Sequence, residues 1–254
     1  MALDHITMNI IWLNTVDSTN SEALRRLEEL PDGTVLAARE QTAGRGQRGN
    51  SWFSEPGKNL TFSIVLKFEE GQLAATDTIW LNYLISVAVV DFLQSHAIWC
   101  KVKWPNDVYV GRNKICGILI ENVLDGSSVS AAVIGVGLNI NQREFPQLAN
   151  ATSLLRLTGE EHPVEKCLEK LMDGFEHWRP YLTDPSRRGS IFSSYSTHLF
   201  NLDVNARYHD LITDREYIGI IKGVAPDGRL MIWDLEAPGK PMRYYSFKEV
   251  GYIL

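Results

Sequence analysis

Cysteine is scarce and badly placed for any framework: three residues, at 100, 116 and 167, an odd count with no Cys-x-x-Cys pair and no His-x-x-x-His among the six histidines. Neither a disulfide scaffold nor a structural zinc site is expected, and a reducing cytoplasm is the expected setting. A block of positive charge is missing too. Lys and Arg total 25 against 31 Asp and Glu, a formal charge of −6, whereas proteins that neutralise a phosphate backbone gather cations on one surface. Stable nucleic-acid binding is therefore not expected. No cationic start with an apolar stretch and a small-residue cleavage site opens the chain. The most apolar run, Ile79 to Leu93, is interrupted by Asn82, Ser86 and Asp91 and reads as a buried helix, not a membrane span. Internal repeats and low-complexity linkers are also missing.

What is present is 254 residues, 44% of them hydrophobic, enough for one good-sized core and a small second domain. Asn9–Leu13 reads as a strand. Thr19 and Glu22 have capping-box spacing ahead of a helix that carries Leu24, Leu27 and Leu30 and stops at Pro31. Ser18, Thr19 and Asn20 then sit where strand gives way to helix, at a mouth. Thr34–Ala38 predicts a strand, Gln41–Gly57 a long loop, and Leu60–Phe68 an alternating, half-buried antiparallel strand. A helix from about Asp77 to Ser95 covers a sheet face. Strands are expected at Lys101–Trp104, Val108–Val110, Cys116–Leu124 and Ser128–Asn139, with Asp125-Gly126 turning the last pair. Helical patterns return at Val164–Trp178 and Ile191–His198. Beyond about residue 200, short strand-like segments at Val204–Tyr208, Glu216–Val224, Leu230–Asp234 and Arg243–Phe247 suggest an appended all-β barrel.

Three segments carry chemistry. Gln41 to Trp52 reads Gln-Thr-Ala-Gly-Arg-Gly-Gln-Arg-Gly-Asn-Ser-Trp, with glycines that can expose backbone N–H groups beside two arginines, a pattern suited to a polyphosphate or acyl-phosphate. It is neither a Walker A sequence nor a Rossmann fingerprint, and by composition alone a ligand role is favoured over a functionless surface loop. Lys103-Trp-Pro-Asn-Asp107 is followed by Lys114-Ile-Cys-Gly-Ile-Leu-Ile-Glu121, which puts a lysine directly ahead of an apolar strand; it either serves a ligand or snorkels at the strand end. Ile134-Gly-Val-Gly-Leu-Asn-Ile140 leaves one strand face without side chains, the mark of a bulge, a ligand or tight packing.

In their order, Ser18-Thr19-Asn20, the glycine-arginine loop ending in Trp52, Lys103–Asp107, Lys114–Gly117 and Gly135–Asn139 resemble the biotin–protein ligases, from about Trp12 to the C-terminus. The resemblance implies an α+β fold: a catalytic domain with a mixed, mainly antiparallel sheet and helices over residues 1–200, then a small SH3-like β-barrel over 201–254. It implies ATP-dependent formation of biotinyl-5′-AMP and transfer of biotin to a lysine of a biotin carboxyl carrier domain of a carboxylase. ATP and biotin are then substrates and Mg2+ is expected, with no metal ligands identified.

Carried over by position, Lys114 and Arg45 are the catalytic residues, Lys114 lying between the biotin carboxylate and the α-phosphate. Ser18, Thr19, Gln41, Gly44, Gly117 and Gly135 form the biotin site; Arg45, Arg48, Trp52, Asn106 and Asn139 form the nucleotide site, with Asp107 a positional candidate for general base. Two departures stand out. Gln47 occupies the place where many members have a second loop arginine, which predicts leakage of the adenylate. The first catalytic strand also begins almost at the N-terminus, so the winged helix-turn-helix of some relatives, and its DNA-binding role, is not expected. Lipoate or octanoate ligases share fold and adenylate chemistry, and a non-catalytic ligand sensor is the alternative of another class. No membrane partner is implied, and monomer and homodimer both remain open.

Overall fold

The computed structural model describes residues 8–253. Strands β1 (Ile10–Val16) and β2 (Val35–Gln41) pair in parallel, joined through helix α1 (Thr19–Arg25). The other strands of this sheet are β3 (Leu60–Lys67), β4 (Lys101–Lys103), β5 (Asp107–Val110), β6 (Asn113–Asp125) and β7 (Ser128–Leu138). They add antiparallel pairs in the order β1-β2-β3-β7-β6-β5-β4. The sheet is thus mixed and mainly antiparallel, as expected. The hairpin foreseen at Asp125-Gly126 joins β6 to β7, with Asp125 opposite Ser128.

Helix α2 (Ile79–Gln94) is buried along most of its length and packs with α4 (Val164–Leu182) and α5 (Arg188–Thr197) against one face of the sheet. Ala75–Gln94 is long and apolar enough to cross a membrane by length and composition, yet 67% of that window is buried inside the protein. It is the core helix that its polar interruptions predicted.

β3 is buried on both faces rather than half-buried. On the side opposite α2, Val65 packs with Ala23, Leu36 and Val133 beneath α1, so the positions expected to face water are covered by a helix. Further along the same face, Ser63 lies under the start of α1 and bonds to Thr19 and Asn20. The helix start also differs from the expected capping box. Ser18 is the N-cap, accepting from Ser21 N, which frees Thr19 to take a tertiary partner. Leu27 and Leu30 lie in turns beyond the helix end at Arg25. A five-residue helix, α3 (Leu154–Thr158), was not foreseen, being too short for periodicity; Ser153 caps it and Gly159, at φ 82°, stops it.

After α5 a second sheet contains β8 (Asn205–Asp210), β9 (Arg215–Val224), β10 (Leu230–Asp234), β11 (Met242–Tyr245) and β12 (Val250–Ile253), all antiparallel in the order β11-β10-β9-β8-β12. β12 was missed because four residues that include a glycine give too short a pattern. Two buried carboxylates hold this unit. Asp210 accepts from Ile212 N, Thr213 N and the Tyr245 hydroxyl. Asp234 accepts from Arg215, Arg243 and the amides of Glu236 and Ala237. The unit docks on the first sheet: Trp104 Nε1 donates to Gly228 O at 3.2 Å, and Phe247 packs edge-on to Trp104.

Burial alone would raise the Asp234 carboxyl, but its hydrogen bonds with Arg243 and the two amides hold it below its ordinary value. A depressed carboxylate stabilises the fold above its unfolded pKa, and that stabilisation is lost as the pH falls through the folded value. Urea unfolding followed from pH 7 down to pH 3 should therefore show the wild type weakening in acid, with Asp234→Asn less stable by about 2 kcal/mol at neutral pH and flatter below pH 4. Equal slopes in the two proteins would refute this role for the carboxylate.

Candidate active site

Strand pairing sets Gly117 of β6 opposite Gly137 of β7, with Gly135 two residues away on the same face of β7. This leaves a floor without side chains. Asn20 lies over Gly135, where a Cβ would overlap its amide oxygen, and the Trp52 indole lies over Gly137, where a Cβ would overlap the ring. At Gly117 a Cβ would stand 2.9 Å from the Trp52 ring and 3.2 Å from Lys114 Nζ. These glycines are thus present for close approach of other side chains, the packing alternative that the bare segment left open. Above the floor is a cavity of about 370 Å³.

One end of the cavity is a hydrogen-bonded cluster at the start of α1. Gln41, from the end of β2, accepts through Oε1 from Thr19 N at 2.8 Å and sits 3.2 Å from Thr19 Oγ1. Ser63 Oγ is 2.8 Å from Thr19 Oγ1 and 2.6 Å from Asn20 Oδ1. Asn20 Nδ2 donates to Leu119 O at 3.2 Å and to Glu121 Oε2 at 2.9 Å. The glycine-arginine loop reaches the same carboxylate: Arg45 Nη2 donates to Glu121 Oε1 at 2.8 Å, and Arg45 Nη1 to Ser21 Oγ.

The loop folds back on itself through Trp52 N to Gly44 O, Gly46 N to Asn50 O and a bridge between Arg45 and Ser51. The Gly46 amide is therefore used inside the loop, not held open in the nest that composition suggested. Gly44 is buried and shapes this turn, since a Cβ there would overlap the Trp52 carbonyl; it does not line the cavity. The Arg48 side chain lies outside the described residues.

The other end carries cations. Lys114 Nζ, at the start of β6, pairs with Asp107 Oδ1 at 2.7 Å and stands 5.6 Å from the Trp52 ring centre. Lys103 lies between Tyr109 and Tyr252, its ammonium 5.1 and 4.8 Å from the ring centres. Burial lowers its pKa and the neighbouring Lys114 adds to that, while Asp107 opposes it. Asn106 lines the cavity, but its amide nitrogen is committed to Ile118 O at 2.6 Å. Asn139 stands apart, tying the end of β7 to Thr152 O at 3.0 Å. The Trp52 Nε1 is buried against the Gly137 backbone without a hydrogen-bond partner among the described residues.

Of the residues expected to form the site, Ser18, Thr19, Gln41, Arg45, Trp52, Asn106, Lys114, Gly117 and Gly135 line the cavity. Asn20, Ser63, Lys103 and Glu121 were assigned no role, and neither were Phe247, Lys248 and Tyr252, with which the second sheet completes the wall. Asn20 and Glu121 stood inside the quoted motifs, whereas the wall from the second sheet has no local signature. Among the described residues no group of three or more His, Cys, Asp or Glu could hold a metal ion.

Residues 12–139 match the model of the biotin/lipoate A/B protein ligase family. The bifunctional ligase/repressor BirA of Salmonella typhimurium is 41% identical over 235 residues, 88% of this chain and 69% of that protein. The biotin–[acetyl-CoA-carboxylase] ligase of Paracoccus denitrificans is 34% identical over 178 residues, 67% of this chain and 72% of that one. The biotin protein ligase of Aquifex aeolicus, solved in complex with biotin and ATP, superposes with a TM-score of 0.75 at 26% identity, covering 96% of this chain and 97% of its own.

The floor makes a paired prediction. Gly135→Ala and Gly137→Ala should each cost about 1–3 kcal/mol by displacing Asn20 or Trp52, with faster proteolysis of the 44–52 loop in the second. Gly174→Ala, in α4 with its Cβ 3.8 Å from the nearest atom, should stabilise by about 0.5–1 kcal/mol. Urea midpoints that do not separate the two classes would contradict the packing described.

Proposed function

The chain belongs to the biotin/lipoate A/B protein ligase family, and from that premise we infer that it is a biotin–protein ligase, using ATP to form biotinyl-5′-AMP and then biotinylating a lysine of a carrier protein. The observation that carries biotin over lipoate or octanoate is the pair Thr19 and Gln41, whose polar groups line one end of the cavity. A ureido ring offers N–H donors and a carbonyl acceptor to such a cluster; a dithiolane or alkyl tail would leave it unpaired, which costs far more than a missing methylene.

In this reading the fused ring lies by the glycine floor with Ser18, Thr19 and Gln41 around its head, and its carboxylate points to Lys114. Carboxylate and triphosphate repel each other. An ammonium between them lowers that repulsion, so a carboxylate oxygen can attack the α-phosphorus and release pyrophosphate. A magnesium ion bound with ATP would supply charge shielding of the leaving pyrophosphate, and because no group of three or more His, Cys, Asp or Glu among the described residues could hold it, the phosphates and water would supply most of its ligands. Arg45 turns from Glu121 toward the new acyl-phosphate, Trp52 walls the reacting groups, and Lys103 and Asn106 face the nucleotide.

In the second step the neutral amine of the acceptor lysine attacks the acyl carbon and AMP leaves. To Asp107, which lines the cavity 2.7 Å from Lys114, we assign by position the role of taking the proton. The acceptor is the biotin carboxyl carrier domain of a carboxylase, in keeping with the carboxylase named for the Paracoccus relative. We place the domain boundary near residue 200, with the second unit acting on the site through Phe247, Lys248 and Tyr252. A net charge of −6 and three buried free thiols suit a cytoplasmic enzyme without a nucleic-acid partner.

Incubation with Mg-ATP and, separately, biotin, lipoate and octanoate, with acyl-AMP followed by mass spectrometry, tests the reading. Biotin alone should give adenylate and label an acceptor domain, and Lys114→Ala should slow adenylation by about 10²–10³-fold. Adenylate from lipoate or octanoate in its place would move the chain elsewhere in the family; adenylate from none would make it a binding protein.

Gln47 lines the cavity without a charge where many relatives carry arginine. Gln47→Arg should slow adenylate release measured without acceptor by about tenfold, the worth of one charge-assisted contact. An unchanged release rate would remove Gln47 from the account.

A further inference from the structure

The sequence motif that begins at Lys114 ends at Glu121, a residue the ligase reading leaves without a task. Its carboxylate joins helix α1 to the glycine-arginine loop, one oxygen taking the Asn20 amide at 2.9 Å and the other the Arg45 guanidinium at 2.8 Å. We propose that Glu121 is the positioning residue that sets the donor and acceptor pattern of the biotin head-group pocket, acting through Asn20 and Ser63.

Asn20 faces Leu119 O on one side and Glu121 on the same amide end, and both can only accept. The Asn20 nitrogen must therefore point at them, and its oxygen must point at Ser63. Ser63 has one proton, and the 2.6 Å contact commits it to Asn20 Oδ1. Its oxygen, 2.8 Å from Thr19 Oγ1, is then an acceptor, and the Thr19 proton turns inward to it or to Gln41. Thr19 is left with a lone pair for the cavity. Gln41 Oε1 already receives Thr19 N at 2.8 Å, so its amide nitrogen is the free end. One acceptor and one donor side by side match a ureido N–H and its carbonyl.

Asn20 and Ser63 are buried, so no water competes for these protons and the orientation fixed by the carboxylate passes along the chain. In Glu121→Gln the single carbonyl oxygen goes to Arg45, because a guanidinium is the stronger donor. The new amide nitrogen then opposes the Asn20 nitrogen, and Asn20 can meet it only by turning its oxygen against Leu119 O, so the relay through Ser63 and Thr19 loses its single orientation. Ser63→Ala cuts the same relay without touching Arg45.

The inference rests on the biotin reading, so its test uses biotin and 2-iminobiotin, in which the ureido carbonyl becomes a donor. Titration calorimetry without nucleotide should find biotin bound about tenfold more weakly by both variants, the worth of one oriented hydrogen bond. The preference for biotin over 2-iminobiotin should narrow about tenfold as well, in Glu121→Gln with an unfolding midpoint near that of the wild type and in Ser63→Ala with one lowered by the unpaired Asn20 oxygen. Loss of affinity for both ligands alike, with the preference kept, would reduce Glu121 to a structural prop and overturn the proposal, as would unchanged affinities. A wild type that binds no biotin would sink the biotin reading itself, and this inference with it.

Discussion

The absence of side chains at three positions of one sheet face governs the rest of the site. Gly117, Gly135 and Gly137 let Asn20 and Trp52 lie where a Cβ would stand. Everything else is hung from those two residues. Asn20 leads through Ser63 to Thr19 and Gln41, and through Glu121 to Arg45. Trp52 leads to Lys114 on one side and closes the glycine-arginine loop on Gly44 on the other. A cavity with a hydrogen-bonding end and a cationic end follows from how those partners are distributed.

Much of this was legible in the chain. The antiparallel strands, the core helix broken by Asn82, Ser86 and Asp91, the Asp125-Gly126 hairpin and the long Gln41–Gly57 loop all declare themselves by periodicity or turn chemistry. What failed did so for tertiary reasons. β3 alternates in sequence because its second face carries Thr61 and Ser63, yet that face is buried under α1 and the polar cluster. Thr19 has the spacing of an N-cap, but Ser18 takes that place and Thr19 bonds to Gln41, 22 residues away. Partners so distant leave no local signature. For the same reason the wall made by Phe247, Lys248 and Tyr252 could not be read from the first two hundred residues.

The site's charges are arranged around two carboxylates. Asp107 holds Lys114 and influences Lys103, and Glu121 holds Arg45. Both pairs sit at the cavity rather than deep in the core, where separating them would be costly. Their cations are therefore available to anionic substrates at modest expense, while Asp234 and Asp210, fully committed inside the second sheet, serve only the fold.

A crystal structure of the chain with a non-hydrolysable biotinyl-adenylate analogue would test the central claim most directly. The account predicts the ureido ring within hydrogen-bond distance of Thr19 and Gln41, the fused ring by the glycine floor, and Lys114 at the acyl-phosphate junction. An analogue lying in the reverse sense, with its ureido ring against Phe247 and Tyr252, or bound outside this cavity, would contradict it.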